Sequence, residues 1–219
     1  MKKIILISLL IIVIFCLFLF AYNFHTEQEH SFSRYELSKN ELSLLHNGDI
    51  ILRHGYGMAS DIIVNTLNEK YDISHCAIIC KESNQINVIH SVSQSLSDFD
   101  GVQTQSINRF IKDSKENSVI VVRYKNPTHT DNKLITERAK YYLSKKIPFD
   151  NDFNIKDSTH MFCTELIWRT IKDEYGVDLF KNQLNDENKK NQYKFHTLWD
   201  TTQFEIILNH QLRKQKKQS

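Results

Sequence analysis

The chain is short of the residues that loosen or break structure, with five glycines and two prolines among 219 residues. That scarcity excludes a collagen-like, linker-rich or low-complexity chain, and no internal repeat is present. Cysteine is too sparse and too badly spaced for a disulfide framework. Of the four, Cys16 lies in an apolar run. Cys76 and Cys80 fall on one expected strand, with Cα atoms roughly 13 Å apart, beyond bridging reach. Cys163 is left over. Charge of neither sign prevails: 28 Lys+Arg against 26 Asp+Glu leave +2, the balance carried by Lys2 and Lys3. Without a basic stripe, nucleic acid is not an expected partner. The basic tail of Arg213, Lys214, Lys216 and Lys217 reads as a solvated end that can also touch anionic lipid headgroups.

What the chain does have is one long apolar run and enough apolar residues for a core, 41% hydrophobic and 11% aromatic. Ile4 to Tyr22 is uncharged and follows Met1-Lys2-Lys3. As a helix it spans roughly 28 Å, about one hydrocarbon core. Phe20-Ala21-Tyr22-Asn23 is a poor cleavage site and the run is long for a signal peptide, so residues 1–22 read as an uncleaved signal-anchor, with a cleaved signal and a secreted product as the alternative. Lys2 and Lys3 stay in the cytoplasm and Glu27 and Glu29 follow on the far side, which puts the domain in the periplasm or exterior.

Residues 23–44 read as a stalk and leading helix (Tyr35 to His46), 45–210 as one domain and 211–219 as the tail. Strands are expected at Asp49–Arg53, Ile73–Cys80, Ile86–Val92, Ser118–Tyr124 and Gln203–Leu208. Helices are expected at Ala59–Lys70, Ile107–Ile111 and Lys133–Lys146, with residues 91–105 and 181–194 left as polar connections. Clustered strands with interspersed helices predict an α+β fold, a mainly antiparallel sheet packed against helices.

The chemistry centres on His160-Met161-Phe162-Cys163-Thr164-Glu165-Leu166-Ile167-Trp168. Apolar residues recur at Leu166, Ile167, Ile171 and Tyr175, a half-buried helix stopped by Gly176. Cys163 falls in its first turn, where unpaired N–H groups and the helix dipole favour the thiolate, the nucleophilic form. The bland alternative is a small buried hydrophobe. Upstream, a loop of two or four residues around Ser83-Asn84 makes His90 the diagonal neighbour of His75, on a face shared with Ala77, Ile79, Val88 and Val92. That face is otherwise apolar and needs a cover, expected from the Cys163 helix. Buried histidines need partners. A thiol on one nitrogen of His75 and an orienting acceptor on the other make a nucleophile–base–orienter site; two core histidines bonded to backbone are the alternative. His75, Cys76, His90, His160 and Cys163 could also ligate zinc, but Cys76 points away from His75 and no C-x-x-C is present. No metal is expected.

In that order along the chain, Gly48-Asp49-Ile50-Ile51, Ser74-His75 and Phe162-Cys163-Thr164-Glu165-Leu166 resemble the permuted papain-like hydrolases of the YiiX/YaeF/YebB type, relatives of the NlpC-type cell-wall peptidases and of lecithin retinol acyltransferase. Phe149-Asp150 and Leu198-Trp199-Asp200 are similar too. The resemblance implies a circularly permuted papain-like fold, with Cys163 as nucleophile, His75 as general base and His90 as the orienting third residue, where relatives often carry a carboxylate or amide. Phe162, Thr164, Phe149 and Asp150 become candidates for the oxyanion and pocket positions, and Glu165 for fold support. The implied reaction is cleavage of an amide or ester bond through a thioester, without cofactor, on peptidoglycan peptides or an envelope lipid. A lipid-directed acyltransferase or lipid hydrolase is the alternative, and a non-catalytic envelope binding module that keeps the fold is another. Apolar, deep walls near Phe149 and Phe153 would mark a lipid substrate.

Overall fold

The structure, a computed structural model, describes residues 2–83, 85–126, 131–181 and 194–212. The basic tail and most of the Asn- and Lys-rich connection at 181–194 therefore lie outside the described residues. Helix α1, Lys2–Phe32, is long and apolar enough to cross a membrane. It does not give way to a stalk at residue 23: with neither glycine nor proline between Ile4 and Phe32, nothing in the sequence stops it. Its last turns are tied to the domain. The Tyr22 hydroxyl donates to the Asp61 carboxylate, and His30 Nε2 lies 2.9 Å from Asp113 Oδ1 with its ring against Tyr56. Helix α2, Lys39–Leu44, is shorter than expected because Ser38 and Glu41 form a capping box that fixes its start.

Six strands follow: β1 (Ile50–Arg53), β2 (His75–Glu82), β3 (Gln85–Val92), β4 (Gly101–Ser106), β5 (Ile120–Tyr124) and β6 (Phe204–Asn209). They form one antiparallel sheet in the order β4-β3-β2-β1-β5-β6. All but the last residue of strand β4 falls inside the stretch 91–105 read as a loop. It is an edge strand with Thr104 and Ser106 outward, so its outer residues are polar and its hydrophobic alternation too weak to announce it. The expected register of β2 and β3 is the observed one. Ile78 faces Ile89, which makes His75 and His90 diagonal neighbours on one face.

Alternation divides the core in two. On one face Ile50, Leu52, Cys76, Ile78 and Cys80 pack against α5 (Lys133–Lys145) and α6 (Cys163–Tyr175) through Ile135, Ala139, Leu166, Ile167 and Ile171. On the other, Ile51, Ala77, Ile79, Val88 and Val121 are covered by Leu37, Leu45 and the short α4 (Ile107–Lys112), with Phe110 fully buried. Each such side chain contributes about 1.5–3 kcal/mol of burial. The histidine face is thus covered by α4 and not by the Cys163 helix, contrary to expectation. The physical reason is capacity: the apolar stripe of α6 needs the larger face that α5 completes, and six residues with one Phe suffice for the smaller one.

The Gly48-Asp49 pair is a fold device. Asp49, fully buried, accepts hydrogen bonds from Arg123 Nε at 2.7 Å, Arg123 Nη2 at 2.8 Å and the His46 N–H at 2.8 Å, joining the entry of β1 to β5. Gly48 holds φ +80°, and a Cβ there would lie 2.1 Å from the Asn132 carbonyl oxygen. Gly48→Ala is expected to cost about 3 kcal/mol or more, read as a lowered thermal midpoint; a midpoint within about one degree of the parent would contradict the close approach.

Candidate active site

Helix α6 begins at Cys163 on an N-cap, Phe162, that has no side-chain oxygen. Half of a capping box remains: the Glu165 carboxylate accepts from the Phe162 N–H. The next N–H groups stay available, and the Cys163 sulfur takes them. It accepts the hydrogen bond of the Cys76 side chain and those of the backbone N–H groups of Cys76, Thr164 and Cys163, which hold the thiol below its ordinary pKa although burial works against the thiolate. Burial drives Cys76 the other way, well above its ordinary value, so Cys76 keeps its own proton and points it at the Cys163 sulfur. Cys163 has the features of a nucleophile; Cys76 is its donor.

Imidazoles sit on the far side of β2. His75 Nε2 is 2.8 Å from His90 Nδ1, and both rings pack about Phe110 with centroids 5.9 Å away. Burial, then Arg53, keep His75 well below the ordinary imidazole range and bring His90 down to about 3, so both are neutral at neutral pH. In the base-competent tautomer His75 donates its Nε2–H to His90, leaving Nδ1 bare. His75 and His90 are therefore brought together as expected. No hydrogen bond joins His75 to Cys163. Cys163 opens on an apolar cavity of ≈260 Å³ and His75 on a polar one, and Ser74 and Ile63 form the wall common to both. Nucleophile–base distances are commonly loose before substrate binds.

The apolar cavity is lined by Phe162, Thr164, Phe153, Ile62, Leu67 and Phe195 with Cys163. Phe162 and Thr164, both pocket candidates from the sequence, line it beside Cys163. Phe149 stands one ring further back, edge-on to Phe153 at 6.1 Å. Asp150 takes no part in the wall. It accepts from the N–H groups of Asp152 and Asn154 and orders the turn that presents Phe153 at φ +52°. Behind the helix start, Ser91 donates to the Met161 carbonyl at 2.5 Å, tying β3 to the cysteine segment. His160 is partnered by Asp157 and Thr159, away from the other candidate ligands. Among the described residues no three His, Cys, Asp or Glu side chains gather as a metal site.

Arg53 and Phe110 are the residues that sequence reasoning missed. Arg53 faces His75 across β1 and β2, lies over the Phe110 ring at 4.1 Å and donates Nη1–H to the Phe110 carbonyl at 2.7 Å. Burial lowers it to about 10, while Asp113 and Cys163 oppose that shift. The signal was present as a lone cation ending the all-apolar strand Ile50-Ile51-Leu52.

A histidine pair on two neighbouring strands, followed late in the chain by a cysteine at a helix start, has the order of a permuted papain-like hydrolase site. The comparisons agree. A family model described as the permuted papain-like amidase enzymes, YaeF/YiiX, C92 family, matches residues 44–215, and the chain belongs to that family of cysteine hydrolases. The crystal structure of the metalloprotein yiiX from Escherichia coli O157:H7 superposes with a TM-score of 0.56 at 18% identity, covering 75% of this chain and 97% of that one, a likeness of fold. No curated protein matches.

Two outcomes follow. Iodoacetamide should modify Cys163 with a midpoint below the ordinary thiol value of about 8.5, followed by mass between about pH 5 and 9, and Cys76→Ala should raise that midpoint; an unshifted midpoint in both proteins contradicts the geometry. Second, burial raises Glu165 to about 7 despite its 2.7 Å pair with Arg169. A raised carboxyl binds its proton more tightly folded than unfolded, so stability falls as pH rises from about 4.3 to 7, by roughly 2–3 kcal/mol. Glu165→Gln should flatten the thermal midpoint over that window; an unchanged slope rejects the assignment.

Proposed function

We propose that this chain is a membrane-anchored cysteine hydrolase of the cell envelope that cleaves the amide (or ester) bond of an acylated envelope lipid through a thioester. The observation that carries the reading is the thiolate-favouring Cys163 set in the wall of a cavity made of Ile62, Ile63, Leu67, Phe153, Phe162 and Phe195. Such walls suit an acyl chain and offer a stem peptide few polar partners. The anchor adds to this. Tyr22, the last residue of the uncharged run, bonds to Asp61 of helix α3 (Met58–Leu67), and the next residue, Ile62, is 57% exposed at the cavity. With Phe153, 43% exposed, it forms an apolar lip held beside the place where α1 leaves the bilayer.

In this reading the Cys163 sulfur attacks the acyl carbon. The oxyanion forms beside the N–H groups that solvated the thiolate, those of Cys163 and Thr164 at the helix start and of Cys76. As the carbon–nitrogen bond breaks, the leaving amine takes the proton that His75 Nδ1 received from the thiol. Water, deprotonated by His75, then attacks the thioester and the thiolate leaves. His90 holds the tautomer and orientation of His75 through the accepted bond. Catalysis of this kind needs no bound cofactor.

The test uses the full-length chain in lipid nanodiscs and follows release of amine from an N-acyl amphiphile beside a peptide amide. Cys163→Ala should lose about 10³-fold or more with the fold intact, His75→Ala about 10²–10⁴-fold, and His90→Ala less than His75→Ala. Unchanged turnover in Cys163→Ala ends the mechanism. A larger loss for His90 than for His75 reverses their roles, and preference for the peptide rejects the lipid substrate.

A further inference from the structure

The polar cavity beyond Ser74 and Ile63, ≈340 Å³, is lined by His30, Arg53, Tyr56, His75, Arg109 and Asp113 among others. Its chemistry is unbalanced. Among the described residues, the largely buried Arg53 guanidinium has no carboxylate in hydrogen-bonding contact: it lies on the Phe110 ring and donates Nη1–H to the Phe110 carbonyl, while its Nε–H is buried without a hydrogen-bond partner. A buried cation and an unused buried donor are both costly unless something fills the need. The acid nearest to hand, Asp113, is already committed to His30 at 2.9 Å and to Gln105 at 2.8 Å. Arg109, with its side chain 68% exposed, comes only within 4.0 Å of Asp113 and keeps its fork for another group. Of the other titratable groups that line the cavity, His75 is neutral and His30 is paired with Asp113, so two guanidinium groups face one occupied carboxylate.

We propose that this cavity is a subsite for an anionic group, a phosphate or carboxylate, carried on the polar side of an amphiphile whose acyl chain lies in the neighbouring cavity. Arg53 and Arg109 take the anion, Ser74 and Ile63 form the sill over which the molecule bends, and the scissile carbonyl lies at Cys163. The assignment rests on the acyl-hydrolase reading and deepens it: the substrate is an acylated molecule with an acidic head, and its charge is recognised by residues other than those that break the bond.

The test reads occupancy without needing turnover. In the full-length chain in phosphatidylcholine nanodiscs, the rate of Cys163 alkylation by iodoacetamide is measured by mass against octyl phosphate, octanol, octyltrimethylammonium and inorganic phosphate. Octyl phosphate should protect at a concentration about tenfold or more below octanol and octyltrimethylammonium. Arg109→Gln should bring that ratio down to about threefold or less, and Arg109→Lys should restore part of it. Equal protection by the phosphate and the alcohol, or the same ratio in Arg109→Gln, overturns the subsite while leaving the acyl cavity standing. Failure of every octyl compound to protect overturns the acyl-hydrolase reading beneath it. Inorganic phosphate protecting as well as octyl phosphate assigns the site to free phosphate and removes the amphiphile.

Discussion

Consecutive side chains of a strand point to opposite sides of the sheet, and β2 opens with His75 followed by Cys76. That single alternation organises the molecule. Cys76 turns toward α6, where its thiol and backbone N–H meet the Cys163 sulfur. His75 turns toward α4, where it meets His90 and the Phe110 ring. Cys163 and His75 are thus held by the two separate halves of the core, each closely packed. They can communicate only around the end of the strand, at Ser74. Ser74 is itself fixed, accepting the Gly55 N–H at 2.9 Å and donating its own N–H to the Arg53 carbonyl at 2.9 Å.

Much of this was legible before any coordinates. The diagonal pairing of His75 with His90 follows from the hairpin length alone, because register in an antiparallel pair is fixed by its turn. Cys163 at a helix start follows from the 3.6-residue spacing of Leu166, Ile167 and Ile171. The cover of the histidine face was not legible. Burial alternation says that a face needs covering but not by which element, and α4 is too short for its period to stand out. Arg53 escaped for a related reason: a charged residue ending an apolar strand reads as the strand coming out into water, and only the packing of Phe110 shows that it stays inside. Residues 101–106 look like loop because an edge strand with one wet face carries little hydrophobic signal.

The electrostatics of the site departs from the simple thiolate–imidazolium picture. An imidazolium at His75 would be buried, next to a second ring that offers no negative charge, and beside a guanidinium on the neighbouring strand. Each of these surroundings disfavours it. The permanent positive charge of the site is therefore Arg53, and a thiolate formed on Cys163 is favoured by N–H dipoles and by the Cys76 thiol in place of a protonated base. A neutral His75 is then better suited to passing a proton than to keeping one. The charge it would carry briefly is unfavourable enough to be handed on at once to the leaving amine. In the proposed mechanism the same arrangement lets a histidine serve as the third residue in place of a carboxylate. With no lasting imidazolium to stabilise, His90 has only to hold the ring in place, and a neutral acceptor at 2.8 Å does that without adding a buried negative charge that would draw Arg53 away from the cavity.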